Sequence, residues 1–290
     1  GPNASDQRVI EAIRAGLDAG IDWIDTAQVY GDGTSERLVG RAIEGRRDDL
    51  VIATKVAPRP DGTGFRPDQV RKACRQSLDR LGISHIDLYQ LHWPDDSVPV
   101  EDTWSAMAEL VDEGLVRHIG VSNFDRSLIE RCEPIRRVNS IQPHFSMLHL
   151  ENRDLIRWCG DRGIGVVCYG PLAFGLLTGA ITSETEFDPG DWRSGKRWKG
   201  DYYRALFAPG KLERSLAVVE GLRPIADRLG ITMGQLALAW TFHQPGVTAA
   251  IAGSRNQDHV RENAAAGDVT LDDATLQELE DLLALGPDFA

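Results

Sequence analysis

Four polar residues lie at, or just beyond, the ends of three mostly apolar stretches of the sequence. Asp25 closes the first stretch, and Tyr30 follows it five residues later. Lys55 and His92 close the second and the third. If the three stretches are neighbouring parallel strands, all four side chains meet at one end of a sheet.

These four residue types can together deliver a proton to a carbonyl oxygen. A tyrosine hydroxyl is a weak acid, with a reference pKa of about 10, and a neighbouring lysine lowers that pKa by stabilising the phenolate. Asp25 would hold Lys55 in place, and Tyr30 would donate its proton as a hydride reached the carbonyl carbon. A neutral His92 would donate a hydrogen bond to the same oxygen.

Each residue alone also has a purely structural explanation. An aspartate at a strand end often caps the following loop, a lysine pairs with a surface acid, and His92 could pack in the turn before Trp93 and Pro94. Four compatible types at three strand ends favour the chemical interpretation.

The remaining chain alternates strands that are apolar throughout with amphipathic helices, which indicates a parallel sheet covered on both faces. Gly31 and Gly33 are not followed by the third glycine of the dinucleotide-binding fingerprint of open sheets. We therefore predict an α/β protein with a (β/α)8 TIM barrel, formed as a single domain over residues 1–290, and an active-site insert at about residues 173–211. Only seven strands are predicted, so the first barrel strand is expected upstream of Gly1. The predicted strands end at Asp25, Val56, His92, Ser122, Phe145, Tyr169 and Ala252.

Composition narrows the class of protein. The formal net charge of −12 over 290 residues argues against a nucleic-acid or membrane-surface partner. No apolar stretch is long enough to span a membrane, and no signal peptide opens the chain. Four cysteines without metal-ligand spacing predict reduced thiols in a cytoplasmic protein that needs no metal.

The sequence resembles the aldo-keto reductase family over nearly its whole length, most closely bacterial branches related to inositol-operon and deoxysugar reductases. The stretch Gly175-Leu176-Leu177-Thr178-Gly179 and the insert after it are typical of those branches. The motifs that carry the resemblance are Asp25-Thr26-Ala27 with Tyr30-Gly31, Ala53-Thr54-Lys55, Leu91-His92-Trp93-Pro94-Asp95, Gly120-Val121-Ser122-Asn123-Phe124, Gln142, Tyr169-Gly170-Pro171-Leu172, Gly253-Ser254-Arg255 and Glu262-Asn263.

The resemblance implies NADPH-dependent reduction of an aldehyde or ketone, with Asp25, Tyr30, Lys55 and His92 as the catalytic residues. It assigns the nicotinamide carboxamide to Ser122, Asn123 and Gln142, with Tyr169 stacked on the ring. The pyrophosphate path would be lined by Pro171, Leu172, Gly175, Leu176 and Thr178. Gly253, Ser254 and Arg255 would face the adenosine 2′-phosphate, with Gln257, Glu262 and Asn263 around the ribose and adenine.

Two features separate this chain from many family members. The first barrel strand, which in the family contributes backbone next to the nicotinamide, is not among the predicted strands. Ala252-Gly253 replaces Pro-Lys before the serine, so the 2′-phosphate has one cation fewer, and the preference for NADPH is expected to be weaker. Trp93 and Phe174 are candidate substrate-binding residues. The aromatic residues of the insert form either a pocket over the cofactor or a minor surface cluster; they are Phe174, Trp192, Trp198, Tyr202 and Tyr203.

The partner expected from the resemblance is a small carbonyl compound, and the sequence leaves monomer and homo-oligomer open. An alternative from another class is a cofactor-sensing regulatory subunit of the same fold with little turnover. That role calls for an additional interaction segment, and the sequence contains no clear one.

Overall fold

The computed structural model describes residues 4–188, 191–194, 206–208 and 210–284, and strands alternate with helices along them. The strands are β1 (Trp23–Asp25), β2 (Val51–Val56), β3 (Ile86–Leu91), β4 (Val116–Ser122), β5 (Ser140–Gln142), β6 (Gly165–Tyr169) and β7 (Ala249–Ile251). The helices are α1 (Ala4–Asp18), α2 (Thr34–Ala42), α3 (Pro67–Leu81), α4 (Val100–Asp112), α5 (Arg126–Cys132), α6 (Arg153–Gly160), α7 (Lys211–Leu229), α8 (Met233–Phe242), α9 (Gln257–Ala265) and α10 (Asp273–Ala284).

The seven strands are all parallel and lie in sequence order, β1 to β7. This nearly closed sheet, with its helices, matches the predicted (β/α)8 barrel with one strand missing. Within the described ranges no strand pairs with the outer edges of β1 and β7. Helices α1 and α9 pack together outside that gap, where Gln257 Nε2 donates to Glu11 Oε2 at 3.3 Å.

Local sequence explains the element boundaries. Helix α3 starts at Pro67, whose missing N–H would have no partner in the first turn, and stops at Gly82, a left-handed cap with φ 67°. Every residue of β3 is buried, as expected of a strand covered on both faces. Strand β5 was predicted to reach Phe145 but ends at Gln142, because Pro143 has no N–H for the ladder.

The sequence also predicted reduced cysteines and no apolar stretch long enough to span a membrane. All four cysteines are buried free thiols, and burial raises the pKa of Cys74 and of Cys168 to about 12, which keeps them protonated. Among the helices described, none is long and apolar enough to cross a membrane.

Candidate active site

The structure brings the four residues at the strand ends together. Lys55, which is completely buried on β2, forms an ion pair with Asp25 on β1 and donates to the Thr26 carbonyl at 3.0 Å. Its Nζ lies 5.5 Å from the centre of the Tyr30 ring. The rings of Tyr30 and His92 meet edge to face, with 5.6 Å between their centres. An acid, a cation, a phenol and an imidazole therefore share the carboxyl end of the sheet.

His92 is held in its neutral form. Burial, followed by the charge of Lys55, lowers its pKa from the usual value to about 3. No hydrogen-bond partner lies at its buried Nδ1 among the described residues. That surrounding favours the tautomer protonated at Nε2, which leaves Nε2–H as the donor of this ring.

Two further histidines lie behind Tyr169: His144 is buried and His149 is partly buried. Burial lowers the pKa of His144 to about 2 and lowers the pKa of His149 as well. All three histidines are therefore neutral when folded at neutral pH.

Acidification from about pH 7 to about pH 5 should destabilise the protein through these histidines. Below pH ~6.5 these histidines become protonated in the unfolded chain but stay neutral in the folded chain. The stability that is present above that pH is therefore lost as the pH falls. His92 and His144 should each cost about 2 kcal/mol near pH 5. Urea unfolding across this range measures the loss. The slope should be smaller in His144→Phe, and a free energy of unfolding that stays constant would contradict the prediction.

Asp25 is the centre of a wider hydrogen-bond network than the sequence indicated. Gln142 Nε2 donates to Asp25 Oδ2 at 2.8 Å, and Gln90 Nε2 lies 3.5 Å from the same oxygen. Gln90 was not predicted as a site residue. It is two residues before His92, and the two-residue period of a strand could have placed it on the same side of the sheet. Both amides help to keep the carboxylate oriented toward Lys55.

The loop that carries Tyr30 is tied to the loop after β2. The buried Gln28 donates to the Ala57 carbonyl at 2.8 Å. Arg59 forms an ion pair with Asp32 and donates to the Gln28 carbonyl at 3.0 Å. Neither Gln28 nor Arg59 was predicted as a site residue, since neither is a defining residue of a motif. Together they fix the position of a Tyr30 side chain that is itself 42% exposed.

The residues predicted around the nicotinamide lie next to one another. Ser122 Oγ donates to the Gln142 carbonyl at 3.0 Å, and Asn123, with φ 58°, follows directly. Tyr169, at the end of β6, donates its hydroxyl hydrogen to Asn123 Oδ1 at 2.9 Å. Since Gln142 also contacts Asp25, this group borders the catalytic residues.

The segment predicted to follow the pyrophosphate is a short 3-10 stretch, Ala173–Thr178, directly after β6. Ala173, Phe174 and Gly175 are consecutively left-handed, with φ of 45°, 56° and 102°. The Ala173 and Gly175 N–H groups donate to the Gly170 and Leu172 carbonyls at 2.9 and 3.0 Å, so both are paired within this segment. Leu176 is buried, so only its backbone could contact a phosphate, whereas the Thr178 side chain is exposed and donates to the Gly175 carbonyl at 2.7 Å. Pro171 and Leu172 form the turn before this stretch.

The residues predicted around the adenosine lie between β7 and the first turns of α9. Gly253, Ser254 and Arg255 form the loop, and Arg255 is exposed. Asn256 caps α9 through a bond from the Asp258 N–H at 2.8 Å, and Gln257 is the first helical residue. Glu262 accepts from Thr232 at 2.7 Å, and Asn263 is next to it. A cation at a helix N-terminus suits a phosphate.

One cavity of about 510 Å³ joins the catalytic and adenosine groups. The cavity lies in the gap between β1 and β7, where the barrel lacks a strand. Its lining is mostly apolar and also includes Asp25, Tyr30, Tyr169, Ser254 and Asn263. Polar residues of both the catalytic and the adenosine group face this cavity, which fits an elongated ligand that contacts both groups.

Of the two candidate substrate residues, Trp93 contacts the catalytic group. Trp93, which is 37% exposed, has its ring centre 4.8 Å from that of His92. Phe174 packs against His144 at 5.9 Å. Trp198, Tyr202 and Tyr203 lie outside the described residues, as does the Trp192 side chain, so the insert pocket stays a prediction. Within the described part of the chain, no group of three potential ligands could hold a metal ion.

Comparisons with known proteins agree on one family. The model of the aldo/keto reductase family matches residues 2–284. The aldo-keto reductase YhdN of Bacillus subtilis is 34% identical, over 97% of this chain and 86% of that protein. The glycerol dehydrogenase of Gluconobacter oxydans has a similar structure, with a TM-score of 0.87 and 30% identity over 98% of this chain and 87% of that one. An aldo-keto reductase of Klebsiella pneumoniae, solved in complex with NADPH, has a TM-score of 0.76 and 32% identity, over 99% and 88% of the two chains.

Proposed function

Because the chain belongs to the aldo/keto reductase family and is thus an oxidoreductase, we propose that it reduces an aldehyde or ketone to an alcohol with NADPH, using Tyr30 as the general acid. The observation that carries this proposal is that Lys55, paired with Asp25, lies beside the Tyr30 ring, and that the His92 ring meets the same ring edge to face.

Bound NADPH would supply the hydride that adds to the carbonyl carbon. Tyr30 donates its hydroxyl proton to the carbonyl oxygen, so that an alcohol forms, and the phenolate then regains a proton from solvent. The Lys55 ammonium stabilises that phenolate, and Asp25 balances the charge of Lys55; the side chains of this ion pair are 0% and 6% exposed. Neutral His92 donates from Nε2 to the same oxygen and orients it.

The cofactor residues keep the roles that the family resemblance implies. Ser122, Asn123 and Gln142 hold the carboxamide, and Tyr169 stacks on the nicotinamide. Pro171, Leu172, Gly175, Leu176 and Thr178 line the path of the pyrophosphate. Ser254 and Arg255 hold the 2′-phosphate, the group that distinguishes NADPH from NADH.

A turnover assay tests the proposal directly. The protein is mixed with NADPH and a panel of small aldehydes and ketones, and the loss of NADPH absorbance is followed. Consumption that needs both the protein and the carbonyl supports the function. Absence of consumption, together with no quenching of tryptophan fluorescence by NADPH or NADH, would refute it.

Replacing Arg255 with glutamine should weaken NADPH binding about tenfold and leave NADH binding unchanged, because a charge-assisted contact to a phosphate is lost. Fluorescence titration with both cofactors measures the change in discrimination. Arg228→Gln is the control, since Arg228 is an exposed arginine of α7 that pairs with Glu278 at 2.6 Å, and neither residue lines the cavity. An unchanged ratio of the two affinities in Arg255→Gln would exclude this residue as the 2′-phosphate ligand.

A further inference from the structure

Three aromatic rings form a column behind the candidate nicotinamide site. The rings of His149 and His144 are stacked with 4.2 Å between their centres and 29° between their planes. His144 and Tyr169 continue the stack at 4.9 Å and 29°. These distances are typical of aromatic pairs that attract one another. The column, His149–His144–Tyr169, ends at the residue that lines the cavity.

The backbone holds this column in register. His144 forms an isolated parallel bridge with Tyr169, where the Phe145 N–H donates to the Tyr169 carbonyl at 3.2 Å. Asn152 Nδ2 donates to the His144 carbonyl at 2.9 Å. The ring of His144 therefore has a fixed position relative to the Tyr169 ring.

The space around His144 also depends on Gly170. A Cβ at position 170 would lie 2.6 Å from His144 Nε2, closer than any side chain tolerates, and Gly170 has φ 68°. The glycine next to Tyr169 thus lets the His144 ring approach. On the other side, the Tyr169 hydroxyl donates to Asn123, so the Tyr169 ring is fixed at its tip as well as on its face.

Neutrality makes such a column possible. His144 is only 4% exposed, and burial keeps both histidines uncharged at neutral pH. The nearest acid to His149 is Glu151, at 3.9 Å from its Nε2. Two uncharged rings stack without repulsion, and they place no positive charge behind an oxidised nicotinamide, which is itself cationic.

We propose that His144, supported by His149, is a positioning residue for the cofactor: it sets the tilt of Tyr169 and thereby the plane on which the nicotinamide stacks. The inference rests on the proposed function, and it adds a ring behind the tyrosine that the motifs did not indicate. It follows that an aromatic ring, rather than an imidazole in particular, is needed at position 144.

The test compares His144→Leu, which keeps an apolar side chain but cannot stack, with His144→Phe, which keeps a ring. Each variant is titrated with NADPH and with adenosine 2′,5′-bisphosphate, a probe that has the adenosine phosphates but no nicotinamide. In His144→Leu the Kd for NADPH should rise about three- to tenfold, while the Kd for the bisphosphate stays within about twofold. His144→Phe should bind both ligands nearly as the wild type does.

Three results would overturn the inference while leaving the proposed function intact. These are wild-type NADPH affinity in His144→Leu, equal weakening of both ligands, and no recovery in His144→Phe. Equal weakening would indicate a general structural role for His144. Absence of NADPH binding by the wild-type protein would instead overturn the proposed function itself.

Discussion

Tyr30→Phe should lower carbonyl turnover about a hundred- to ten-thousandfold while NADPH affinity stays within about twofold. The substitution removes a single hydroxyl, which is the group of Tyr30 that donates the proton in the proposed mechanism. The ring remains, so its contacts with His92 and Lys55 are kept. Because the side chain is 42% exposed, stability should hardly change. Steady-state turnover, tryptophan quenching by NADPH and thermal unfolding measure the three quantities.

Tyr89→Phe provides the matched control. Tyr89 lies on β3, two residues before Leu91, and is completely buried away from the cavity. Loss of its hydroxyl should leave turnover per folded molecule unchanged. If Tyr30→Phe kept wild-type turnover, another group would have to be the proton donor, and the catalytic assignment would be wrong.

Strand-period patterns and turn residues were sufficient to predict most of the fold. The mostly apolar run at Ile86–Leu91 predicted β3, and Pro67 and Gly82 predicted both ends of α3. The side-chain pattern predicted the wrong end for β5, because Pro143 has no backbone N–H to pair. The strand ends three residues earlier than predicted. The order of parallel strands followed from their alternation with helices, since such connections place consecutive strands side by side.

The candidate site was predicted in part, for a related reason. Residues at strand ends can be expected to meet because parallel strands share one carboxyl edge, so Asp25, Lys55 and His92 could be grouped without coordinates. Contacts within the group depend on register and rotamer. Gln142 and Asp25 are 117 residues apart in sequence, and nothing local indicates that their side chains bond.

The supporting residues were harder to predict than the catalytic ones. Arg59 and Gln28 join two loops through backbone carbonyls, a contact that depends on loop conformation. His144 stacks on Tyr169 because β5 and β6 are paired with a register that brings these two residues together. Such supporting contacts can be recognised only from the arrangement of the strands and loops in the folded protein.

Removing one or both charges of the Asp25–Lys55 ion pair should change stability and turnover by different amounts. Lys55 is fully buried and Asp25 is 6% exposed, so removing one partner leaves a charge with little solvent. Asp25→Asn should cost about 3–5 kcal/mol of unfolding free energy, because the ammonium loses its counter-charge. Lys55→Met should lower the unfolding free energy by a smaller amount, since Asp25 still accepts a hydrogen bond from Gln142. Both variants should lose at least about a hundredfold in turnover.

The double variant Lys55→Met with Asp25→Asn removes both charges, so its stability should return close to that of the wild type while turnover stays lost. Urea unfolding and single-turnover kinetics on the three variants provide the comparison. Glu36→Gln is the control, because Glu36 and Arg80 form another buried ion pair at 2.6 Å, on the helix side of β2. It should lower stability without changing turnover per folded molecule. Recovery of turnover in the double variant would mean that the pair serves folding alone, and that Tyr30 acts without a neighbouring cation.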